Sequence, residues 1–289
     1  MGFASRKGKP TMNVLPLDKQ LQIAQSLVEG VLIRATARIA RVEHKTVMRT
    51  LLRIGNACAD FLDKRIRGVC SKRVQVDEIW TYVFKKEAKI SEDDPAERGD
   101  QYVFIGMDAD SKLAISHVIG KRTATTAYYL MADLQGRLAN RVQLTTDGFR
   151  AYLTAVEGTF GADVDYAMLV KLYGKETADR ESPEWYGPPH VIAAIPTRII
   201  GKPAWGHIST SYIERQNLTL RMQARRFTRL TNAFSKKLSN LRAHVALHFA
   251  HYNFVRMHET LRCTPAMAAR LTDHLWDLEE LLADASSAA

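Results

Sequence analysis

The sequence predicts an α/β protein in which a mixed sheet with flanking helices follows an all-α segment. Between residues 16 and 62 the apolar residues recur at helical spacing. Between residues 74 and 173 several short runs alternate β-branched or aromatic residues with polar ones, and helical patterns separate the later runs. Strands that alternate with helices build a sheet with helices on its faces.

The composition is that of a globular protein. Hydrophobic residues make up 46% and charged residues 25% of the chain, which excludes a wholly disordered or collagen-like protein. The 289 residues leave room for about two domains of roughly 150 residues each. No apolar run approaches the roughly 18 residues that span a bilayer, so we expect a cytoplasmic protein with no membrane partner. Cys58, Cys70 and Cys263 form no CxxC pair, which argues against a zinc ribbon or a disulfide framework.

Charge is distributed in blocks. Residues 1–73 and 202–270 each carry a net charge of +10, whereas residues 74–201 and 271–289 each carry −5. Basic blocks attract a polyanion such as DNA through counterion release, but an acidic centre repels phosphate unless cations intervene. The pattern favours nucleic-acid chemistry that uses metal ions, and solvated charged faces without any partner are the alternative.

The first basic block has the pattern of a DNA-binding domain. Residues 1–15 are expected to be a disordered basic leader, residues 16–62 a helix-turn-helix domain and residues 63–73 a basic linker. In a helix-turn-helix the second helix enters the major groove with residues near its N-terminus facing the bases. A three-helix bundle without a DNA-binding role has a similar pattern. The residues predicted to face DNA are His44, Lys45, Thr46 and Arg49.

The segment from 74 to 271 is predicted to form the sheet domain, with a three-stranded meander followed by helix-linked strands. Asp77 lies near the middle of the first strand, and Asp147 ends the fourth. Residues 174–205 contain Pro and Gly clusters and are expected to form an irregular insertion loop, and residues 272–289 an acidic C-terminal tail. The predicted strands are 74–84, 102–107, 113–119, 141–147 and 164–173, and the predicted helices are 123–138 and 149–157.

The strand order predicts that two aspartates lie close together. In a ribonuclease-H-like sheet the first and fourth strands are neighbours, so Asp77 and Asp147 would share one edge. Two close carboxylates repel each other and are costly to bury, and a bound cation reduces both costs. Two alternatives stay open, because Asp147 before Gly148 is a common turn residue and Asp77 could be a surface residue. Glu78 is expected to point to the opposite face of the strand, away from this site.

A third carboxylate lies on a predicted helix from 209 to 226. The polar face of this helix carries Glu214, Asn217, Arg221 and Arg225. A carboxylate in the first turn can bind a metal ion, and the basic residues of the later turns can hold a DNA strand. The structural alternative is a capping box, Ser211-x-x-Glu214, in which the carboxylate bonds a backbone amide.

Four motifs occur in order in this part of the chain: Asp-Glu-Ile-Trp80, Thr-Thr-Asp-Gly148, Tyr-Ile-Glu-Arg-Gln-Asn-Leu-Thr-Leu-Arg221, and His-Tyr-Asn-Phe-Val-Arg-Met-His258 followed by Thr-Pro265. Together they resemble the DDE-type transposases of bacterial insertion sequences, most of all the insertion-sequence-one family. The resemblance runs from about residue 74 to 271. Members of that family often carry a cysteine zinc ribbon before the helix-turn-helix, and this chain departs from them in lacking those cysteines.

The resemblance implies a ribonuclease-H-like core and a catalytic, metal-binding triad of Asp77, Asp147 and Glu214. It implies two Mg²⁺ or Mn²⁺ ions, double-stranded DNA as the partner and a homo-oligomer that joins two element ends at the bacterial nucleoid. The transposase would cleave DNA at those ends and transfer strands into target DNA. The DNA-contacting residues of the late helix would be Arg215, Asn217, Arg221 and Arg225. The alternatives are another nuclease on the same core, such as an RNase H or a resolvase, and a catalytically inactive, transposase-derived DNA-binding regulator.

Overall fold

The computed structural model describes residues 15–174, 191–228 and 231–287. All but the last residue of the predicted disordered leader lies outside these ranges. The helices are α1 (Leu17–Val28), α2 (Ile33–Ala40), α3 (His44–Arg65), α4 (Ala124–Arg137), α5 (Ala151–Phe160), α6 (Ser211–Gln223), α7 (Leu238–Ala250), α8 (Pro265–Ala268) and α9 (Leu278–Ser287). The strands are β1 (Arg73–Val83), β2 (Gly99–Asp108), β3 (Ala114–Gly120), β4 (Gln143–Thr146), β5 (Asp165–Tyr173) and β6 (Val191–Ile200). Within the described ranges no helix is long and apolar enough to cross a membrane.

The strands form one mixed sheet in the order β3-β2-β1-β4-β5-β6. β1, β2 and β3 make an antiparallel meander. β4 pairs parallel with β1, and β5 pairs parallel with β4. A meander extended by helix-linked parallel strands is the ribonuclease-H-like arrangement, so the predicted fold class is confirmed.

The expected insertion loop at 174–205 is partly wrong. Residues 191–200 form β6, which pairs antiparallel with β5 at the edge of the sheet. The Pro and Gly cluster that suggested a loop lies at 182–189, outside the described residues. Pro196 sits inside β6, where an edge strand tolerates the missing backbone donor.

Helices cover both faces of the sheet around β1. On one face the buried Gln75 side chain accepts hydrogen bonds from the Tyr212 and Ile213 amides, at 2.9 and 3.1 Å, and so satisfies two orphan donors at the start of α6. On the other face the buried Leu134 of α4 packs over Gly106 of β2, and α5 packs beside α4. β1 is therefore the central strand between two helical layers.

The N-terminal helices are joined to the sheet layer through α3. This helix extends over 22 residues, three beyond the predicted domain boundary at residue 62, and its middle crosses α7. At the crossing, Gly55 lies against the Ala243 backbone. Buried residues of α1 and α3 belong to the same hydrophobic cluster as those of the sheet.

The acidic segment after residue 271 is part of the folded body. The Trp276 ring makes edge-to-face contacts with Phe61 and Phe254, at centroid distances of 5.4 and 5.5 Å. Leu281 of α9 is fully buried, and Arg65 of α3 pairs with Asp284 at 3.0 Å.

Candidate active site

Three carboxylates meet at the end of β4. One oxygen from each of Asp77, Glu78 and Asp147 lies within 4.8 Å of the others, and all three residues are half-buried. The predicted closeness of Asp77 and Asp147 is confirmed. Among the residues that the structure describes, this is the only group of three or more acidic, His or Cys side chains close enough to share a metal ion.

The expectation that Glu78 lies away from this site is wrong, and the end of β4 explains why. Val76 pairs with Thr146, the last residue of β4, so Asp147 follows the strand in the plane of the sheet beside Asp77. Asp77 points to the α6 face, where Asn217 donates to it, and Glu78 points to the α5 face. Because no strand residue separates the two faces at this position, both side chains reach Asp147 around the strand end.

Repulsion and burial raise the pKa values of the cluster. Burial raises the pKa of Asp77 to about 8, and the nearby charges of Glu78 and Asp147 add to the rise. The pKa of Glu78 is also raised, first by burial and then by Asp147. Arg122 opposes this effect: its Nε donates to Glu78 at 2.5 Å, and its Nη2 lies 3.8 Å from Asp147. The raised pKa values therefore show that the site disfavours a full set of ionised carboxylates, although Arg122 lies beside them.

Glu214 lies on the first turn of α6, near the cluster but outside it. Its negative charge contributes to the raised pKa values of Asp77 and Asp147. Its carboxylate accepts hydrogen bonds from Lys171 of β5 and from the Thr210 hydroxyl. Both hydrogen bonds are accepted by the same Glu214 oxygen, Oε1.

The alternative role of Glu214 as a helix cap is not supported. Thr210, not Ser211, is the N-cap of α6, and the Thr210 side chain makes no capping hydrogen bond to a backbone amide of the helix. The Ser211 amide donates to the Ser209 hydroxyl at 3.2 Å. In a capping box the Ser211 amide would instead donate a hydrogen bond to the Glu214 carboxylate.

Asn217 holds Asp77 in place. Its Nδ2 donates to Asp77 Oδ2 at 2.8 Å, while the Glu78 amide donates to Asp77 Oδ1 at 2.9 Å. Asn217 is 8% exposed, so the structure places this predicted DNA-contacting residue beside the carboxylates. Its Oδ1 is buried and has no hydrogen-bond partner among the described residues.

The donor set fits a hard divalent cation. Carboxylate and amide oxygens suit Mg²⁺ or Mn²⁺, and the site contains no soft sulfur donor among its described residues. The raised pKa values and the unpartnered Asn217 Oδ1 both indicate a place where added positive charge or a hydrogen-bond donor would be stabilising. Asp77, Glu78 and Asp147 are the residues that would hold the cation, with Glu214 within electrostatic reach.

The predicted helix-turn-helix residues lie at the start of α3. His44, Lys45 and Arg49 are exposed and Thr46 is half-exposed, whereas Val47 and Leu51 are buried. On α6 Arg215 is exposed and Arg221 is half-exposed. Arg225 is exposed but lies beyond the helix, in a 3-10 turn, because α6 ends at Gln223 and not at the expected residue 226.

Sequence reasoning missed Glu78, Arg122 and Lys171. Arg122 precedes α4 and Lys171 lies on β5, so neither is near a carboxylate along the chain. The only available signal was the alternation of β5, in which Lys171 interrupts an apolar run.

Comparison with known proteins gives low-level structural similarity. No family model matches the chain, and no curated protein matches it. Solved structures to which it is similar include transposases. A piggyBac transposase synaptic complex with hairpin DNA aligns with a TM-score of 0.42 and 9% identity, over 96% of this chain and 73% of that one. The Mos1 strand transfer complex has a TM-score of 0.24 and 15% identity, over 57% and 60%. The mariner Mos1 paired end complex with Mg has 0.21 and 16%, over 55% and 59%. The chain thus spans about 60% of the Mos1 chains, and at these scores the similarity assigns no function to it.

Proposed function

We propose that the protein is a metal-dependent DDE-type transposase that cuts DNA at the ends of an insertion element and joins them to target DNA. The observation that carries the proposal is the cluster of Asp77, Glu78 and Asp147 at one edge of a ribonuclease-H-like sheet, with Glu214 nearby. The four motifs that resemble the insertion-sequence-one family support the finer assignment. The exposed basic start of α3 supports DNA as the substrate.

Asp77, Asp147 and Glu214 are the proposed catalytic residues. Each would supply carboxylate oxygens to divalent ions, and Glu78 would share in holding them. Two such ions, when bound, stabilise the attacking and leaving oxygens of an in-line displacement at phosphorus. Asn217 fixes the Asp77 carboxylate through its hydrogen bond. Lys171 holds Oε1 of Glu214, which is not in the closest group of carboxylates, so the proposal requires the Glu214 carboxylate to come near enough to Asp77 and Asp147 to share the ions.

The basic residues are proposed to position the DNA. His44, Lys45, Thr46 and Arg49 would contact the element end in its major groove. Along and beyond α6, Arg215, Arg221 and Arg225 would contact phosphates near the scissile bond. Joining two ends requires two copies of the chain, and we propose a homo-oligomer in the DNA complex.

The test is cleavage of a labelled duplex that carries the terminal repeat of the element encoding this chain. We expect cleavage by the wild-type protein in Mg²⁺ or Mn²⁺ and none in EDTA. Glu214→Gln and Asp77→Asn should abolish cleavage while duplex binding stays within about two-fold of wild type, since neither carboxylate attracts DNA. Glu157→Gln is the matched control, because Glu157 is an exposed carboxylate on the neighbouring helix α5.

Two outcomes would contradict the proposal. Binding of the duplex without cleavage in either metal would favour the DNA-binding regulator. Cleavage that survives Glu214→Gln would remove Glu214 from the catalytic residues.

A further inference from the structure

A row of aromatic side chains leads away from the carboxylate cluster. Trp80 and Tyr82 of β1 have ring centroids 5.7 Å apart, and Phe234 stacks on Tyr82 at 4.9 Å with an interplanar angle of 29°. All three rings are partly exposed. The Lys86 ammonium lies 5.7 Å from the centre of the Trp80 ring. We call Trp80, Tyr82 and Phe234 the aromatic row.

The row begins beside Glu78. Side chains alternate along a strand, so Trp80 and Tyr82 follow Glu78 on the same face of β1. β4 ends opposite Val76, and the next backbone pairing on that side of β1 is a bridge from Val83 to Ser235. Phe234 precedes that bridge and thereby closes the far end of the row.

The far end of the row borders a groove whose lining is mostly apolar and includes exposed cations. Phe234 also lines a groove of about 610 Å³ between the start of α3 and residues 231–240. The exposed cations Arg34 and Lys236 line it together with His44, which is predicted to face DNA. No Asp or Glu is among the described residues of its lining. The aromatic row therefore connects the predicted DNA-recognition surface with the carboxylate cluster.

We propose that the aromatic row binds an unpaired DNA strand next to the scissile phosphate. Every base has an aromatic face, so exposed rings in a row bind unpaired bases without sequence preference while flanking cations hold the phosphates. A paired strand cannot use this surface because its bases are stacked within the duplex. The proposal deepens the proposed function, on which it rests: it adds a locally opened DNA end to the substrate of the same site.

The test compares two labelled DNAs by fluorescence anisotropy in EDTA, which prevents cleavage. One is a blunt duplex, and the other is the same duplex with an unpaired arm of thymidines. We expect the wild-type protein to bind the arm-bearing DNA more tightly. Trp80→Ala and Phe234→Ala should each reduce this preference by about five-fold or more, the effect of losing one stacked base, with little change for the blunt duplex. Trp80→Phe should restore most of the preference, because it keeps an aromatic face.

The matched control is Trp205→Ala. Trp205 is 54% exposed, and the Arg198 guanidinium lies 4.2 Å from its ring, so it is a similar aromatic and cation pair elsewhere on the surface. It should leave the preference unchanged. Equal loss in this variant, or no loss in folded Trp80→Ala and Phe234→Ala proteins, overturns the inference, as does a wild-type protein without any preference. Because the assay contains no metal, these results are separate from the cleavage test. If Glu214→Gln loses cleavage while Trp80→Ala keeps the preference for the arm-bearing DNA, the proposed transposase function stands and only the role of the aromatic row is rejected.

Discussion

The crossing of α3 and α7 at Gly55 provides the most stringent test of the packing. A Cβ atom at residue 55 would lie 2.2 Å from the Ala243 carbonyl oxygen and 2.5 Å from its Cα. Ordinary van der Waals contact begins near 3.4 Å, so a methyl group requires the two helices to separate by about 1 Å. The opposing atoms belong to the backbone, and no side-chain rotation can relieve the contact.

The expected effect of Gly55→Ala is the difference between two terms. Alanine in a helix interior is favoured over glycine by about 1 kcal/mol. Overpacking of a close-packed interface costs about 1–3 kcal/mol and occasionally more, and a clash with rigid backbone belongs at the upper end. We therefore expect the free energy of unfolding to fall by about 2 kcal/mol, which lowers Tm by several degrees in a protein of this size.

The assay is urea unfolding followed by circular dichroism, with Gly136→Ala as the matched control. Gly136 also lies within a helix, α4, but a Cβ there would meet no atom within 4 Å. This variant should match or exceed the stability of wild type, because only the propensity term applies. If Gly55→Ala is as stable as Gly136→Ala, the close approach of α3 to α7 is refuted.

Three further predictions concern the candidate site and the core. Arg122 faces Glu78 and Asp147, so Arg122→Gln should lower Tm in the absence of metal and enlarge the rise in Tm that Mn²⁺ produces. Asp147→Asn should remove that rise. Equal rises in wild type and Arg122→Gln would contradict competition between arginine and metal. Asn217→Leu removes a hydrogen bond to Asp77 and should lower the free energy of unfolding by about 1.5–3 kcal/mol, and unchanged urea unfolding would show that the bond contributes nothing. His248 is 2% exposed, and burial lowers its pKa from 6.5 to about 3. As the pH falls from 6.5 to about 3, the unfolded chain takes up this proton first, so the free energy of unfolding falls by about 1.4 kcal/mol for each pH unit. His248→Leu should flatten the dependence of the free energy of unfolding on pH by that amount, and an equal slope would refute the pKa shift.

The sequence predicted the sheet better than the details of the site. The alternating run that became β1 and the strand ending at Asp147 were enough to place Asp77 and Asp147 together, because strand order alone brings them to one edge. Glu78 was excluded by the alternation of side chains, a rule that holds inside a sheet but not where the neighbouring strand stops. Arg122 and Lys171 could not be inferred, since their contacts depend on tertiary packing between segments far apart along the chain.

The segment 191–200 illustrates a different limit. Its composition, Val-Ile-Ala-Ala-Ile-Pro-Thr-Arg-Ile-Ile200, is rich in β-branched residues, but the preceding Ser-Pro183 and Gly-Pro-Pro189 suggested a loop, and Pro196 lies within the segment itself. Proline is excluded from central strands and not from edge strands. Which strand lies at the edge is a property of the whole sheet, so a local pattern could not distinguish β6 from an irregular segment.

The length of α3 links the proposed DNA-contacting residues to the core of the protein. Its first turn carries His44 and Lys45, which are proposed to contact bases, and its middle is held against α7 at Gly55. The same helix continues without interruption to Arg65, whose guanidinium lies 5.4 Å from the centre of the Trp276 ring. A recognition helix on a flexible linker would allow cleavage at variable distances from the bound sequence. A recognition helix that is itself part of the core fixes that distance, so a transposase built in this way should cut its element end at a single phosphodiester position. Loosening the crossing by Gly55→Ala should then spread the cleavage products over neighbouring positions, an effect that loss of stability alone does not produce.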